Sequence, residues 1–346
     1  MGSLYKNNEY FYQGRISTSI GEIPRVSPVL AFKDILGSWK ARWGINRMNY
    51  KIGPGLYCVG NPDAESPILV SANYKMSFDR LRKELTSLNA WIMVLDTKGI
   101  NVWCSAGKGT FGTDELVGRI QKVSLSKIVS HRRLILPQLS APGVSAHEVT
   151  KRSGFKVLYG PIRARDLPGF IKAGMKATPE MRRVNFKFRD RLILTPMELV
   201  GVMKPLLIAL GLLLILNLFG FRLISVKETL PYLGAILVGC VFVPAFLPWI
   251  PGRAFAFKGW LLGIFWAAAV NAHYVFFSPS PSWKQSLGSF LILPALASYL
   301  ALNFTGSSSY TSLSGVVREM KIAIPLIIAS ASLGLALMII KLFIRF

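Results

Sequence analysis

Ala90-Trp91-Ile92-Met93-Val94-Leu95 is followed, after a short polar turn, by Asn101-Val102-Trp103-Cys104-Ser105-Ala106-Gly107-Lys108-Gly109-Thr110. The first stretch has the length and apolar content of a strand buried on both faces, and such strands belong to parallel sheets covered by helices. The second stretch sets a lone cysteine just past that strand, beside glycines that let backbone approach a ligand closely. A thiolate in that position is a soft ligand. Free cysteine is also among the most buried residue types and commonly packs as a small hydrophobe, so spacing alone leaves both readings open.

Working outward, strand and helix signals alternate from about residue 61 to 200. Strands are expected at Pro67–Ser71, Ala90–Leu95, Arg133–Leu136, Lys156–Tyr159 and Leu192–Leu194. Helices are expected after Ser77 and Thr113, each read as an N-cap, and at Ser145–Arg152 and Asp166–Lys172. This alternation predicts an α/β, Rossmann-like domain with a largely parallel sheet. Ligands of such sheets bind outside the carboxyl ends of the strands. Ser71, the 101–110 stretch, Ser140–Gly143 and Gly160–Ala164 all follow strands and are expected to converge there. Residues 1–60, rich in Gly, Pro and Tyr, read as an irregular lead-in with a short helix carrying Trp39 and Trp43.

Beyond residue 200 the composition changes. Residues 1–200 hold 31 Lys+Arg and 15 Asp+Glu, whereas residues 201–346 hold 10 and 2. Five apolar spans fall at about 202–221, 230–250, 259–277, 286–304 and 322–343, each near the roughly 20 residues that a bilayer-crossing helix needs. Pro231, Pro244 and Pro248 predict a kink or break in the second. Arg182, Arg183, Lys187, Arg189 and Arg191 precede the first span and place residues 1–200 in the cytoplasm by the positive-inside rule. The expected location is therefore the cell membrane, with lipid as a partner and the C-terminus on the far side. The polar N-terminus lacks the apolar core of a signal peptide, so none is expected.

The net charge of +24 does not point to nucleic acid. The basic residues are scattered, no binding motif accompanies them, and membrane topology accounts for an excess of Lys and Arg. Gly107-Lys108 is not a phosphate-binding loop: such a loop requires glycine where Val102 stands and Ser or Thr where Gly109 stands. The three cysteines are Cys58, Cys104 and Cys240, with no CxxC pair, so this chain alone builds neither a zinc site nor an iron–sulfur cluster. Cys240 and Trp103 read as packing residues. The histidines, His131, His147 and His273, form no metal-binding pair. His273 and Asn271 lie inside a span, where polar groups are costly and point to function.

The stretch Asn101 to Thr110 resembles the cap-helix motif of the mercury-methylating corrinoid proteins (the HgcA family), usually Asn-Val/Ile-Trp-Cys-Ala-Ala/Gly-Gly-Lys. It departs at Ser105, which adds a hydroxyl beside the thiol and leaves the ligand in place. The resemblance extends along Ser71-Ala72-Asn73-Tyr74-Lys75, Leu136 to Gly143, Tyr159 to Ala164 and Asp190 to Leu199. These segments are also similar to the corrinoid domain of the large corrinoid iron–sulfur protein subunit of acetyl-CoA synthesis. Of the two relatives, only the first ends in a membrane domain.

The resemblance implies a cobalamin or related corrinoid, bound base-off, with Cys104 as the lower axial ligand of cobalt. It implies contacts from Asn101, Val102, Trp103, Ser105, Ala106, Gly107, Lys108, Gly109 and Thr110, and from Ser71, Ser77 and Ala164. Ser77 is equally read as a cap, Lys108 as a solvated lysine, and the glycines as an ordinary turn. The implied activity is that of a methyltransferase delivering a methyl group to inorganic Hg(II). A thiolate opposite the methyl group favours its departure as a carbanion equivalent, and a radical route is the other option. Carbanion transfer leaves Co(III), which needs two electrons. The resemblance therefore implies a ferredoxin-like partner with two 4Fe–4S clusters, and a separate methyl-pterin-dependent methyltransferase as methyl source. Two other readings stand beside it: a membrane-tethered methyl carrier of an acetyl-CoA-type one-carbon pathway, whose known relative lacks the cap cysteine, and a non-enzymatic corrinoid sensor or transport subunit.

Overall fold

The computed structural model describes residues 10–219, 226–277, 283–308 and 310–343. The chain divides into two compact units, Met1–Val184 and Asn185–Phe346.

The first unit is a mixed sheet with helices. Its strands are β1 (Tyr12–Thr18), β2 (Gly21–Val26), β3 (Gly55–Val59), β4 (Ile68–Ala72), β5 (Ala90–Leu95), β6 (Arg133–Leu136) and β7 (Lys156–Tyr159), in the spatial order β1-β2-β3-β5-β4-β6-β7. The helices are α1 (Phe32–Arg42), α2 (Lys75–Lys83), α3 (Val102–Gly107), α4 (Thr113–Lys122), α5 (Ala146–Ser153) and α6 (Leu167–Lys172). Strands β5, β4, β6 and β7 run parallel, with Leu69 opposite Ile92 on one side and Ile135 on the other. Every residue of β3, β4 and β5 is buried, as expected of strands covered on both faces. Ile68, Val70, Trp91 and Met93 pack in one core cluster with Leu116 and Ile120 of α4. Leu69, Ile92 and Val94 pack in the other with Phe78 and Leu81 of α2.

Several expectations are corrected here. Residues 12–59 are not irregular: they supply three strands and α1. The β1–β2 hairpin is hard to see because β1 is an edge strand with mostly exposed polar residues. Strand β3 is a short apolar run enclosed by glycines, the composition of a loop. It runs antiparallel to β5, with Tyr57 opposite Ile92, so the sheet is mixed. Ser77 lies inside α2, which starts at Lys75, and Thr113 is the first residue of α4 behind a Gly112 cap. The Thr113 hydroxyl oxygen instead accepts from the Ser145 amide at 2.9 Å. Leu192–Leu194 is not a strand. Asp190 accepts from the Lys187 amide at 3.2 Å and caps a short helix, α7 (Phe188–Leu192).

The second unit is helical. After α7 come α8 (Thr195–Leu218), α9 (Val226–Leu237), a π-helical turn at Val238–Phe242, α10 (Val243–Phe246), α11 (Phe255–Phe277), α12 (Trp283–Asn303) and α13 (Leu313–Phe343). Among the described residues five helices are long and apolar enough to cross a membrane: Phe188–Ile215, Glu228–Phe246, Phe255–Phe276, Trp283–Ser307 and Ser314–Ile340. The second carries the irregularity its prolines predict, as a π-turn holding buried Cys240. Gly259 and Gly263 let α11 meet α12 backbone to backbone. A Cβ at Gly263 would stand 2.5 Å from Pro294 Cα, and one at Gly259 2.5 Å from the Ala297 carbonyl oxygen. Small residues four apart serve this purpose in lipid-embedded helices. Asn271 is buried and donates to Ser289 Oγ at 2.7 Å, while His273 lies on an exposed part of α11.

Candidate functional site

From β4 the chain passes through α2 to β5, its neighbour on one side. From β5 it crosses back over β4 to reach β6. The direction of winding therefore reverses at β4, and the crevice between β4 and β6, outside their carboxyl ends, is the place where such sheets bind ligands. Asn73, directly after β4, is buried and ties that strand end to the β5–α3 loop. Its Oδ1 accepts from the Thr97 amide at 3.1 Å, the Thr97 hydroxyl at 2.9 Å and the Gly99 amide at 2.9 Å. Its Nδ2 donates to Asp96 Oδ1 at 3.1 Å. Glu115, itself bound by Arg119, accepts from the Asp96 amide at 2.9 Å. The β5–α3 loop is thus fixed from both sides. It turns through positive φ at Lys98 and Gly99, +58° and +74°, and delivers Asn101 to the start of α3.

Asn101 is the N-cap of α3, its Oδ1 accepting from the Cys104 amide at 2.9 Å. Cys104 stands in the first turn with its side chain exposed. Trp103 is 45% exposed, which corrects the expectation that it packs in the core. A helix this short has an inner face only two or three residues wide, and Ser105 and Ala106 occupy it, both buried. The Ser105 hydroxyl donates back to the Asn101 carbonyl at 2.6 Å. It is turned into the helix and serves the backbone, not the thiol. Ala106 packs where the loop after β6 passes. A Cβ on Gly143 would lie 2.9 Å from Ala106 Cα and 2.3 Å from the Phe111 carbonyl oxygen, so this approach requires glycine. Gly107 and Gly109 face open space, Gly109 at φ +77°. Lys108 is exposed, and Thr110 Oγ1 donates to the Ser105 carbonyl at 3.4 Å.

The other anticipated residues are distributed differently. Val102 and Ala106 pack with the α4-side cluster. Ser71 is buried on the opposite face of β4, alternating with Val70 and Ala72, and donates to the Ala72 carbonyl at 3.3 Å. Ser77 is half-buried on α2, and Ala164 packs with the α2-side cluster. The structure therefore gathers Asn101–Thr110 with Gly143, and groups Ser71, Ser77 and Ala164 with the other layer.

A buried ionic quartet escaped the sequence reading. Lys75 Nζ bonds Asp34 and Asp79, each at 2.6 Å, while Arg82 bonds Asp34 at 2.7 Å and Asp79 at 2.8 Å. All four side chains are almost fully buried, and the two cations balance the two anions. Burial pushes the Asp34 carboxyl up, but hydrogen bonds from Lys75 and Tyr10 outweigh it and hold the group at about 2. The quartet ties α1 to α2 beside the crevice. Its one sequence signal is the spacing of Lys75, Asp79 and Arg82 on a single helical face.

The structure thus sets an exposed thiol on a short, glycine-flanked helix at the carboxyl end of a mixed α/β sheet. Residues 46–171 match the family described as CO dehydrogenase/acetyl-CoA synthase delta subunit. The acetyl-CoA decarbonylase/synthase complex subunit gamma of Archaeoglobus fulgidus is 28% identical over 128 residues, 36% of this chain and 27% of that protein. The subunit gamma of Methanopyrus kandleri is 30% identical over 124 residues, 35% and 26% of the two chains. The subunit gamma 2 of Methanosarcina thermophila is 31% identical over 121 residues, 34% and 25%. The similarity thus spans about a quarter of each relative's length. The matched residues run from just before β3 to α6 and contain the crevice, α3 and Gly143, but neither the β1–β2 hairpin nor the helices of the second unit.

Proposed function

We propose that the first unit binds a corrinoid at the β4/β6 crevice, beside α3, with Cys104 as a ligand of its cobalt, and acts in methyl transfer at a membrane in which the second unit is anchored. The carrying observation is the placement of Cys104: an exposed thiol, on a helix held by Asn101, Asn73 and Gly143, at the carboxyl end of the sheet in a domain similar to acetyl-CoA decarbonylase/synthase gamma subunits. The residues suit the group. Gly107 and Gly109 present backbone with nothing within 4 Å of a notional Cβ, so a flat macrocycle meets no side chain there, and a thiolate is a soft donor fit for cobalt. Bound there, a corrinoid supplies a metal that accepts a methyl group from one partner and yields it to another. Cys104 would hold that metal, Asn101 orients the first turn of α3, and the Asn73 network keeps the loop from moving as the ligand exchanges.

The relatives favour the reading as a membrane-tethered methyl carrier of an acetyl-CoA-type pathway. Reduction and methylation then fall to separate proteins: a ferredoxin-like electron donor and a methyl-pterin-dependent methyltransferase. One observation favours Hg(II) as acceptor instead: the exposed Cys104 within Asn-Val-Trp-Cys, the stretch that resembles the mercury-methylating proteins. The purified full chain, loaded with methylcobalamin and given Hg(II), decides between them. Transfer to mercury in the wild type but not in Cys104→Ala supports the mercury reading. A wild type that leaves mercury unmethylated yet passes its methyl group to an acetyl-CoA synthase supports the carrier, and transfer to neither overturns both.

A further inference from the structure

Tyr74 follows β4 and stands as the N-cap of α2. It is 4% exposed, its ring lies edge-on to Tyr50 at 6.3 Å, and its backbone bridges to Lys51. Its hydroxyl is buried without a hydrogen-bond partner. That is a costly state for a phenol, and it marks a missing acceptor. The surroundings are cationic. The Arg47 guanidinium lies over the Tyr74 ring, 5.5 Å from its centre, and the charges of Arg47, Arg42 and Arg80 all bear on the hydroxyl. Arg42 is half-buried and feels the repulsion of both other arginines. Arg47 donates to the Ala41 carbonyl at 3.2 Å, and among the described residues none of the three has a carboxylate partner. The acids within α1 and α2, Asp34 and Asp79, are already matched by Lys75 and Arg82. A buried, unpartnered hydroxyl with one guanidinium over its ring, and two more whose charges reach it, none matched by a carboxylate among the described residues, describes a site suited to an anion.

We propose that Tyr74, Arg42, Arg47 and Arg80 bind a phosphate-class oxyanion. A carboxylate would balance one guanidinium. A phosphate offers more charge and enough oxygens to accept from several guanidiniums and the phenol together. The site adjoins the β5–α3 loop: the carbonyl oxygen of Met48, next to Arg47, lies 2.8 Å from the Cβ that Gly99 lacks. Two sources share this chemistry, free inorganic phosphate and the phosphodiester in a corrinoid's nucleotide tail, the second resting on the proposed function.

The test uses the full chain in detergent and the variants Tyr74→Phe, Arg47→Gln and Arg80→Gln. Calorimetry reads affinity for inorganic phosphate, for cobalamin, and for cobinamide, which lacks the nucleotide tail. Phosphate binding that weakens about tenfold or more in the arginine variants, and less in Tyr74→Phe, supports the site with the free ion as ligand. A wild-type preference for cobalamin over cobinamide that these variants erase supports it with the tail as ligand. Absence of phosphate binding together with no such preference overturns the site, as does binding that all three variants leave unchanged. Cobinamide binding reports on the corrinoid reading separately, because it does not involve a nucleotide phosphate.

Discussion

Asn73→Ala removes the side chain that organises the β5–α3 loop, and its cost can be worked from the contacts. Asn73 is 2% exposed. Its Oδ1 serves two backbone amides, those of Thr97 and Gly99, and the Thr97 hydroxyl. The Thr97 hydroxyl can turn its single proton to the Ile100 carbonyl, 2.7 Å away, but the two amides have no substitute. A buried donor left unmade costs about 1–3 kcal/mol, so the loop should loosen by about 2–4 kcal/mol, allowing for entry of water. At about 1.4 kcal/mol per factor of ten, the Thr97 and Gly99 amides should exchange with solvent about 30- to 700-fold faster. Hydrogen exchange on the full chain reads this directly, with the β6–β7 peptides as internal control. Corrinoid affinity should fall with it, because α3 hangs from this loop. Unchanged protection across residues 96–101 in Asn73→Ala would refute the claim that Asn73 fixes the position of Cys104.

Other consequences follow from the same structure. Gly143→Ala should detach α3 from the loop after β6, since the new Cβ meets backbone at 2.3 Å and 2.9 Å; a lower unfolding midpoint and loss of corrinoid uptake are the expected readouts. Asp34 is held at about 2, below its ordinary 3.8, so its contribution of about 2 kcal/mol is fully present above the unfolded value and is lost as pH falls through about 2. Acid unfolding of Asp34→Asn should lack that component, at the cost of lower stability near neutral pH. In the native chain at pH 8, maleimide should label the exposed Cys104 and spare Cys58, which is buried with its thiol pushed up to about 12 by that burial; mass spectrometry of the digest reads the two sites apart.

How far the sequence was legible depended on burial. Ala90–Leu95 is apolar at every position and buried at every position, so its strand reads directly. The apolar spans read from hydrophobic length alone, the property that makes a span. The β1–β2 hairpin did not, because an edge strand keeps polar residues outward and loses the alternation that marks a strand. Leu192–Leu194 misled because three apolar residues are too few to separate helix from strand; the capping carboxylate of Asp190 decided it. At the site, Cys104 stood out as a lone thiol among glycines, and the structure leaves it exposed. Trp103 was misassigned because an indole is read as core by default, while α3 is too short to bury more than Ser105 and Ala106. Asn73, Gly143 and the Lys75 quartet act through partners distant in sequence, Asp34 and Lys75 being 41 residues apart. Such pairings exist only once the sheet is assembled.

The proposed bond between Cys104 and the cobalt of a bound corrinoid has a direct spectroscopic signature. Cobalt-edge X-ray absorption on the full chain loaded with cobalamin tests it most directly, comparing wild type with Cys104→Ala. A sulfur neighbour is expected in the first coordination shell of the wild type, with only nitrogen or oxygen neighbours in the variant. Nitrogen and oxygen neighbours alone in the corrinoid-loaded wild type would contradict it.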